Sequence, residues 1–117
     1  MREQFTDSEM VLIESFEKFH DQNPHVYEAL VDMARYYLRE TSKDKIAIAT
    51  LFERVRWEFD ITTTTSGVSC KMPNNHRAFY ARLIMAQEND LKNAFDICSS
   101  VASRWMLNRL DDPTSAG

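Results

Sequence analysis

A chain of 117 residues is long enough to bury a core without disulfide or metal support, and short enough to form one domain. Hydrophobic residues make up 44% and charged residues 27%, as in an ordinary globular protein, while only two glycines and three prolines argue against a β-sandwich and favour long helices. The net charge of −4 excludes a generally basic coat for nucleic acid, although not a local basic surface.

The N-terminus and the cysteines predict a cytosolic protein. Residues 1–10 contain no apolar segment of a signal peptide, and no apolar run approaches the roughly 20 residues that a membrane-spanning helix needs. Cys70 and Cys98 are far apart and fit no metal or redox spacing, so we expect both to be reduced thiols.

Positive charge is concentrated in the middle of the chain. Residues 1–34 contain eight acidic and two basic residues, for a net charge of −6, whereas residues 35–82 contain nine basic and five acidic residues, for +4. Residues 83–117 carry −2. This distribution is explained either by chance clustering on solvated helix faces or by an anion-facing surface on an otherwise acidic protein.

Two helices are predicted in the acidic first third. Residues 6–9 read TDSE, the pattern of a capping box, and apolar residues at helical spacing then predict a helix over about residues 7–19. Asn23 and Pro24 predict the start of a second helix, to about residue 39, because asparagine caps and proline loses no hydrogen bond at the first helical position. The side chains expected to face the centre of the molecule from this helix include Tyr27, Leu30 and Tyr37.

Three more helices are predicted beyond residue 43. The third covers about residues 44–58, and the fourth begins at Pro73-Asn74-Asn75 and ends in a break at residues 87–90. Asn89 or Asp90 caps the last helix, which has the cleanest apolar stripe of the chain. That stripe consists of Leu91, Ala94, Phe95, Cys98, Val101, Ala102 and Trp105.

Residues 60–83, DITTTTSGVSCKMPNNHRAFYARL, contain the strongest β and turn signals. Four β-branched threonines favour extended structure, Ser66-Gly67 can form a tight turn, and residues 68–72 can return as a second strand. The same segment also fits a plain surface loop. The predicted fold is therefore mainly α: five helices in a single domain over residues 1–110, a short β-hairpin or extended loop between helices 3 and 4, and a disordered tail at residues 111–117.

The usual catalytic and phosphate-binding motifs are absent from the sequence. His20 and His25 flank one turn, but without an i, i+4 pair they are more typical of ordinary turn histidines than of metal ligands. Glu53 and its neighbouring arginines are more typical of an ion pair within a helix than of an acid site. We therefore expect no enzyme activity, no catalytic residues, no metal and no cofactor.

The start of helix 4 is the strongest candidate for a binding surface. A helix start presents free amides and partial positive charge to an anion, and the side chains around it are of types that contact bases and phosphates. A hairpin before this helix would resemble the wing of a winged-helix protein, although capping alone explains the asparagines equally well. The predicted nucleic-acid-binding residues are Lys71, Asn74, Asn75, His76, Arg77 and Arg82. We expect the basic ones among them, Lys71, His76, Arg77 and Arg82, to lie on one exposed side of the protein.

Two aromatic residues are predicted to contact a partner. Trp57 lies off the main apolar stripe of helix 3, so it is either a second packing contact or an exposed anchor for a protein partner. Tyr80 lies at the edge of the helix 4 stripe, beside the predicted nucleic-acid-binding residues.

Three blocks of the sequence stand out together: FEKFHDQNPHVYEAL at residues 16–30, LFERVRW at residues 51–57 and KMPNNHRAFYARLIM at residues 71–85. They resemble a family of small, mostly uncharacterised proteins encoded by bacteriophages and integrated elements. The resemblance implies phage or prophage origin and action in the bacterial cytoplasm, and it implies no reaction. The chain departs from the family pattern at residues 89–96, where a break with proline and glycine is expected and this sequence is predicted to continue as helix.

Two functions are compatible with these features. The first is a DNA-associated or regulatory phage-type binding protein that uses the loop and the N-terminal end of helix 4. The alternative is a phage-encoded protein inhibitor of a host or defence enzyme, whose acidic first helices imitate nucleic acid or dock on a basic surface. Both functions are compatible with a homodimer. DNA binding would fall steeply with salt, whereas a protein contact would persist without DNA.

Overall fold

The computed structural model describes residues 5–66, 72–96 and 101–111, with side chains described at residues 5–61, 72–96 and 101–107. The mainly helical prediction is confirmed, and the described residues contain no strand. Two short 3₁₀ turns, Asn74–His76 and Asn89–Leu91, flank the fourth helix. The α-helices are α1 (Asp7–Gln22), α2 (Pro24–Thr41), α3 (Ile48–Ser66), α4 (Arg77–Gln87) and α5 (Val101–Asp111).

The start of α1 has the predicted capping box. The Glu9 amide donates to Thr6 Oγ1 at 3.2 Å, and the Thr6 amide donates to Glu9 Oε1 at 2.9 Å. Pro24 is the first residue of α2, as predicted, but the Asn23 side chain does not cap that helix. Its Nδ2 donates instead to the Phe19 carbonyl at 3.0 Å, so Asn23 closes α1, which runs three residues beyond its predicted end.

The prediction of a strand at the four threonines is wrong. Residues 62–65 are helical and belong to α3, which continues to Ser66, well past the predicted end at residue 58. Threonine in a helix costs at most about 0.7 kcal/mol relative to alanine, and a helix already fixed by its packing outweighs that cost. Most of the predicted turn and second strand, residues 67–71, lies outside the described residues.

The core is centred on Phe16 of α1. Its ring stacks on Phe79 at 4.9 Å and meets Tyr80 and Trp105 edge-on at 4.9 and 5.3 Å. Aromatic pairs of this kind stabilise a fold by about 0.5–1.5 kcal/mol each beyond their buried area. Since these partners lie on α4 and α5, while Phe52 of α3 packs against Tyr80, one ring cluster joins four of the five helices.

α4 is covered on nearly every side, because it packs against α2, α3 and α5. All six residues from Phe79 to Ile84 are buried. A helix with buried residues around its whole circumference lies in the centre of a fold and has no polar face in water.

The prediction that the last helix begins at Asn89 or Asp90 is wrong. A 3₁₀ turn ends at Leu91, residues 92–95 form turns and bends, and α5 is described only from Val101. This chain therefore does break within residues 89–96, contrary to the predicted continuous helix. The predicted burial of Leu91, Ala94 and Phe95 is confirmed, and the Ala94 carbonyl accepts from the Ile46 amide at 2.8 Å. Cys70, Cys98 and residues 112–117 of the predicted tail lie outside the described residues.

A polar network fixes the turn after α4 to α2. Arg35 donates to Asp90 through Nε and to Glu88 through a terminal nitrogen, both at 2.8 Å, and the Tyr27 hydroxyl donates to Glu88 at 2.8 Å. The hydrogen bond from Arg35 lowers the pKa of Asp90, and burial together with Glu88 raises the pKa of Tyr27. These hydrogen bonds stabilise a turn after α4 in place of a continuous helix.

In the described parts of the chain, the helices are too short or too polar to cross a membrane.

The non-helical segment before α5 should contribute strongly to stability through Phe95, which is 3% exposed. We expect Phe95→Ala to lower the free energy of unfolding by about 3–5 kcal/mol, because it removes a large buried ring and leaves a cavity. Urea denaturation would measure the change, with Leu107→Ala, at an exposed apolar position, as the control expected to cost less than about 0.5 kcal/mol. Equal effects of the two substitutions would contradict this placement of Phe95.

Candidate functional site

Only part of the predicted nucleic-acid surface is exposed. Asn74 and Asn75 are exposed on the 3₁₀ turn before α4, and Arg77 is half-buried. The Arg77 Nε donates to the Asn74 carbonyl at 3.1 Å, so this guanidinium stabilises its own turn. Lys71 lies outside the described residues.

The expectation that His76 is exposed is wrong, since it is only 1% exposed. Its ring packs against Phe16 at 5.5 Å and Phe19 at 5.3 Å, and its Nε2 lies 3.3 Å from Ser15 Oγ. Successive residues of a 3₁₀ turn point about 120° apart. The turn can therefore expose both asparagines while it directs His76 towards α1.

Arg82 and Tyr80 are also buried, contrary to their predicted surface roles. Arg82 is 6% exposed; its Nε donates to Ser103 Oγ of α5 at 2.9 Å, and a terminal nitrogen donates to the Ala78 carbonyl at 3.2 Å. Tyr80 is fully buried in the aromatic cluster. The burial of both side chains follows from the central position of α4. Neither side chain is therefore available to DNA or to a partner in this structure.

Arg56 links α3 to the segment before α4. One terminal nitrogen lies 2.5 Å from both the Met72 carbonyl and Asn74 Oδ1, and the other pairs with Glu53. Such charge-assisted bonds position the turn that carries the exposed asparagines. The cation nearest to Asn74 is therefore already engaged in the fold.

A cavity of about 250 Å³ opens between α2 and α3, and we call it the α2–α3 cavity. Its surface is mainly apolar, and the exposed residues at its mouth are Tyr36, Glu40, Thr41, Thr50 and Arg54. The residues that line it are Met33, Tyr36, Tyr37, Glu40, Thr41, Ile46, Thr50, Leu51 and Arg54.

The exposed face of α3 continues from this mouth along the helix. Trp57 is 52% exposed, and the guanidinium of Arg54 lies 4.7 Å above its ring. Ile61, one turn further, is 51% exposed, while Tyr36 of α2 is 54% exposed beneath the guanidinium of Arg39. The exposure of Trp57 is what the anchor interpretation requires, and its contact with a partner stays a prediction. The predicted site residues did not include Tyr36, Arg54 and Ile61, and the only sequence signal for them is a position outside the main apolar stripes.

Two other grooves open on the surface. The larger, about 690 Å³, is lined by the almost fully buried Phe16, Leu83 and Trp105, together with Glu17, Lys18, His20 and Asp21 of α1 and Pro24 of α2. The third groove, about 430 Å³, is an open depression between α4 and α5.

The histidines at the predicted turn contact aromatic side chains. His20 stacks on Phe16 at 5.8 Å, and His25 packs against Phe59 at 5.5 Å. Within the described side chains, no three histidine, cysteine, aspartate or glutamate residues are placed to hold a metal together.

Comparison with protein-family models, with curated proteins and with solved structures gives no match to this chain. The resemblance to phage-encoded proteins therefore stays a prediction from the three sequence blocks.

The buried His76 should make stability depend on pH. Burial lowers its pKa below the ordinary value of 6.5, so between those two values the unfolded chain binds more protons than the folded chain. Its contribution is complete above pH 6.5 and is lost as pH falls through the folded-state pKa. We expect urea denaturation between pH 7.5 and 5 to show a steeper loss of stability for the wild type than for His76→Gln. A matched control is His25→Gln at an exposed position; if it flattened the pH dependence as much as His76→Gln does, this account would be wrong.

Proposed function

We propose that this chain is a non-enzymatic binding protein that acts by contact with another protein through α2 and α3. The observation that supports the proposal most strongly is the exposure of Tyr36 and Arg54 on the lining of an apolar cavity, together with the exposed Trp57 that Arg54 covers on α3. Tryptophan, tyrosine and arginine are the residues most enriched among those that dominate protein–protein binding energy.

The size of the α2–α3 cavity suits a partner's side chain better than a cofactor. Sites for drug-sized ligands and cofactors usually occupy about 300–1,000 Å³, whereas an apolar cavity of about 150 Å³ already holds a benzene molecule. At about 250 Å³, the cavity has room for one bulky apolar side chain. An anchor of this kind, beside a tryptophan, is a common centre of a protein interface.

The arginines on this surface favour a protein partner too. Arg54 lies over Trp57 and pairs with Glu58 at 3.1 Å, so its side chain is already ordered before binding. An ordered guanidinium loses less conformational entropy on binding and can form paired hydrogen bonds with a carboxylate.

The phage resemblance supplies the proposed biological setting. We place the protein in the bacterial cytoplasm, where the partner would be a host or defence enzyme whose activity it blocks by occupying a surface. The chain would supply no chemistry to this inhibition.

Capture from a bacterial lysate, followed by binding measurements with the purified captured protein, tests the proposal. We expect Trp57→Ala and Tyr36→Ala each to weaken binding at least about tenfold, because each removes an aromatic contact from the centre of the interface. Leu107→Ala removes an exposed apolar side chain on α5 and should leave affinity unchanged. Nuclease treatment should have no effect; a partner held equally by all three variants would contradict this surface.

DNA association is a second candidate, favoured by the exposure of Asn74 and Asn75. If it is correct, DNA retention should fall steeply with salt and should decrease in the double variant Asn74→Ala, Asn75→Ala. The Trp57→Ala variant, altered on a different part of the surface, is the control expected to retain DNA. Absence of DNA binding by the wild type at low salt would exclude this candidate.

A further inference from the structure

The groove between α4 and α5 is lined by one side of each helix, because the lining residues of each are spaced at i, i+3 and i+4. One further residue follows the 3₁₀ turn after α4. The residues that line the groove are Arg82, Met85, Ala86, Lys92, Ser103, Met106 and Leu107. Its volume of about 430 Å³ lies within the range of small-molecule sites, which are often found between the helices of bundles.

The charged side chains of this lining have one sign. Arg82 and Lys92 are both cations, and the described lining residues include no carboxylate, although the whole chain has a net charge of −4. Lys92 is exposed, and its side chain forms no ion pair within the part of the chain that the structure describes. Two cations at one groove attract an anion, because the low-dielectric walls concentrate their field.

The Arg82 guanidinium is held in position by the fold itself. It is 6% exposed, and its hydrogen bonds to Ser103 Oγ at 2.9 Å and to the Ala78 carbonyl at 3.2 Å fix it between the two helices. A macromolecular surface cannot reach so deep a side chain, whereas a small anion that enters the groove can lie beside it. An ordered guanidinium loses little conformational entropy when it forms charge-assisted hydrogen bonds with a carboxylate.

The other walls of the groove are mainly apolar. Met85 is half-buried and Met106 is 8% exposed, while Leu107 is 55% exposed at the edge. Methionine side chains are flexible and adapt to ligands of different shape. Apolar walls beside two cations are complementary to a molecule with an apolar body and one anionic head.

We propose that the groove between α4 and α5 binds a small amphiphile with an aliphatic body and one carboxylate. The carboxylate lies between Arg82 and Lys92, and the aliphatic body lies along Met85, Met106 and Leu107. This groove shares no lining residue with the α2–α3 cavity, so the inference is independent of the proposed function.

Octanoate is the probe, and the methionine methyl groups report where it binds. We expect octanoate to shift the methyl NMR signals of Met85 and Met106 with a dissociation constant below about 1 mM, which is within reach of a ligand of about ten non-hydrogen atoms. Met33, which lines the α2–α3 cavity, should not shift. Octylammonium has the same body and the opposite charge, so it should bind at least about tenfold more weakly. Equal affinity for the two probes, or a shift of Met33 alone, would overturn the proposal.

Lys92→Glu tests the charge of the groove without disturbing the core, since Lys92 is exposed. It places a carboxylate beside the ligand's own, so it should weaken octanoate binding about three- to tenfold. Lys18→Glu is the matched control, because it makes the same charge change at an exposed position of α1 that lines the 690 Å³ groove. The control should bind octanoate as the wild type does, and circular dichroism would check that both variants keep their helices. Equal effects of the two substitutions, or no effect of Lys92→Glu, would overturn the assignment of octanoate to this groove.

Discussion

The burial of α4 in the aromatic cluster around Phe16 is the constraint on which the rest of the structure depends. Phe79 and Tyr80 extend from α4 towards α1, and Trp105 of α5 closes the cluster. Large rings bury much apolar area, so the remaining helices take positions that cover this centre. His76 is held against the same cluster by Phe16 and Phe19, which extends the constraint to the turn before α4.

This arrangement separates the polar side chains that join the helices from the side chains that lie exposed on α2 and α3. Arg82, which looked like a surface cation, joins α4 to Ser103 of α5, and Arg56 joins α3 to the turn before α4. Aromatic and cationic side chains without such a structural task are found on α2 and α3. The position of the candidate site is thus a consequence of which helix occupies the centre.

Three predictions that rest on neighbouring residues or on apolar periodicity are confirmed. The capping box at Thr6, proline at the start of α2 and the burial of Phe95 each depend on neighbouring residues or on apolar periodicity. The helical threonines, the turn after Asn89 and the burial of His76 could not be read in this way. The turn and the buried histidine depend on hydrogen bonds between residues far apart in the sequence, such as Arg35 with Asp90 or Ser15 with His76, and the threonines continue a helix whose earlier residues are packed in the core.

The exposure of Trp57 and Ile61 on α3 has a consequence for how the sequence of this protein can change over generations. Substitutions at exposed positions usually alter stability by less than about 0.5 kcal/mol, whereas those in a packed core cost several times more. Positions such as Trp57 and Ile61 can therefore vary with little risk of unfolding, while Phe16 and Tyr80 cannot. If the protein binds a partner through this face, as proposed, a new binding preference is accessible by single mutations on one helix, without any prior gain in stability.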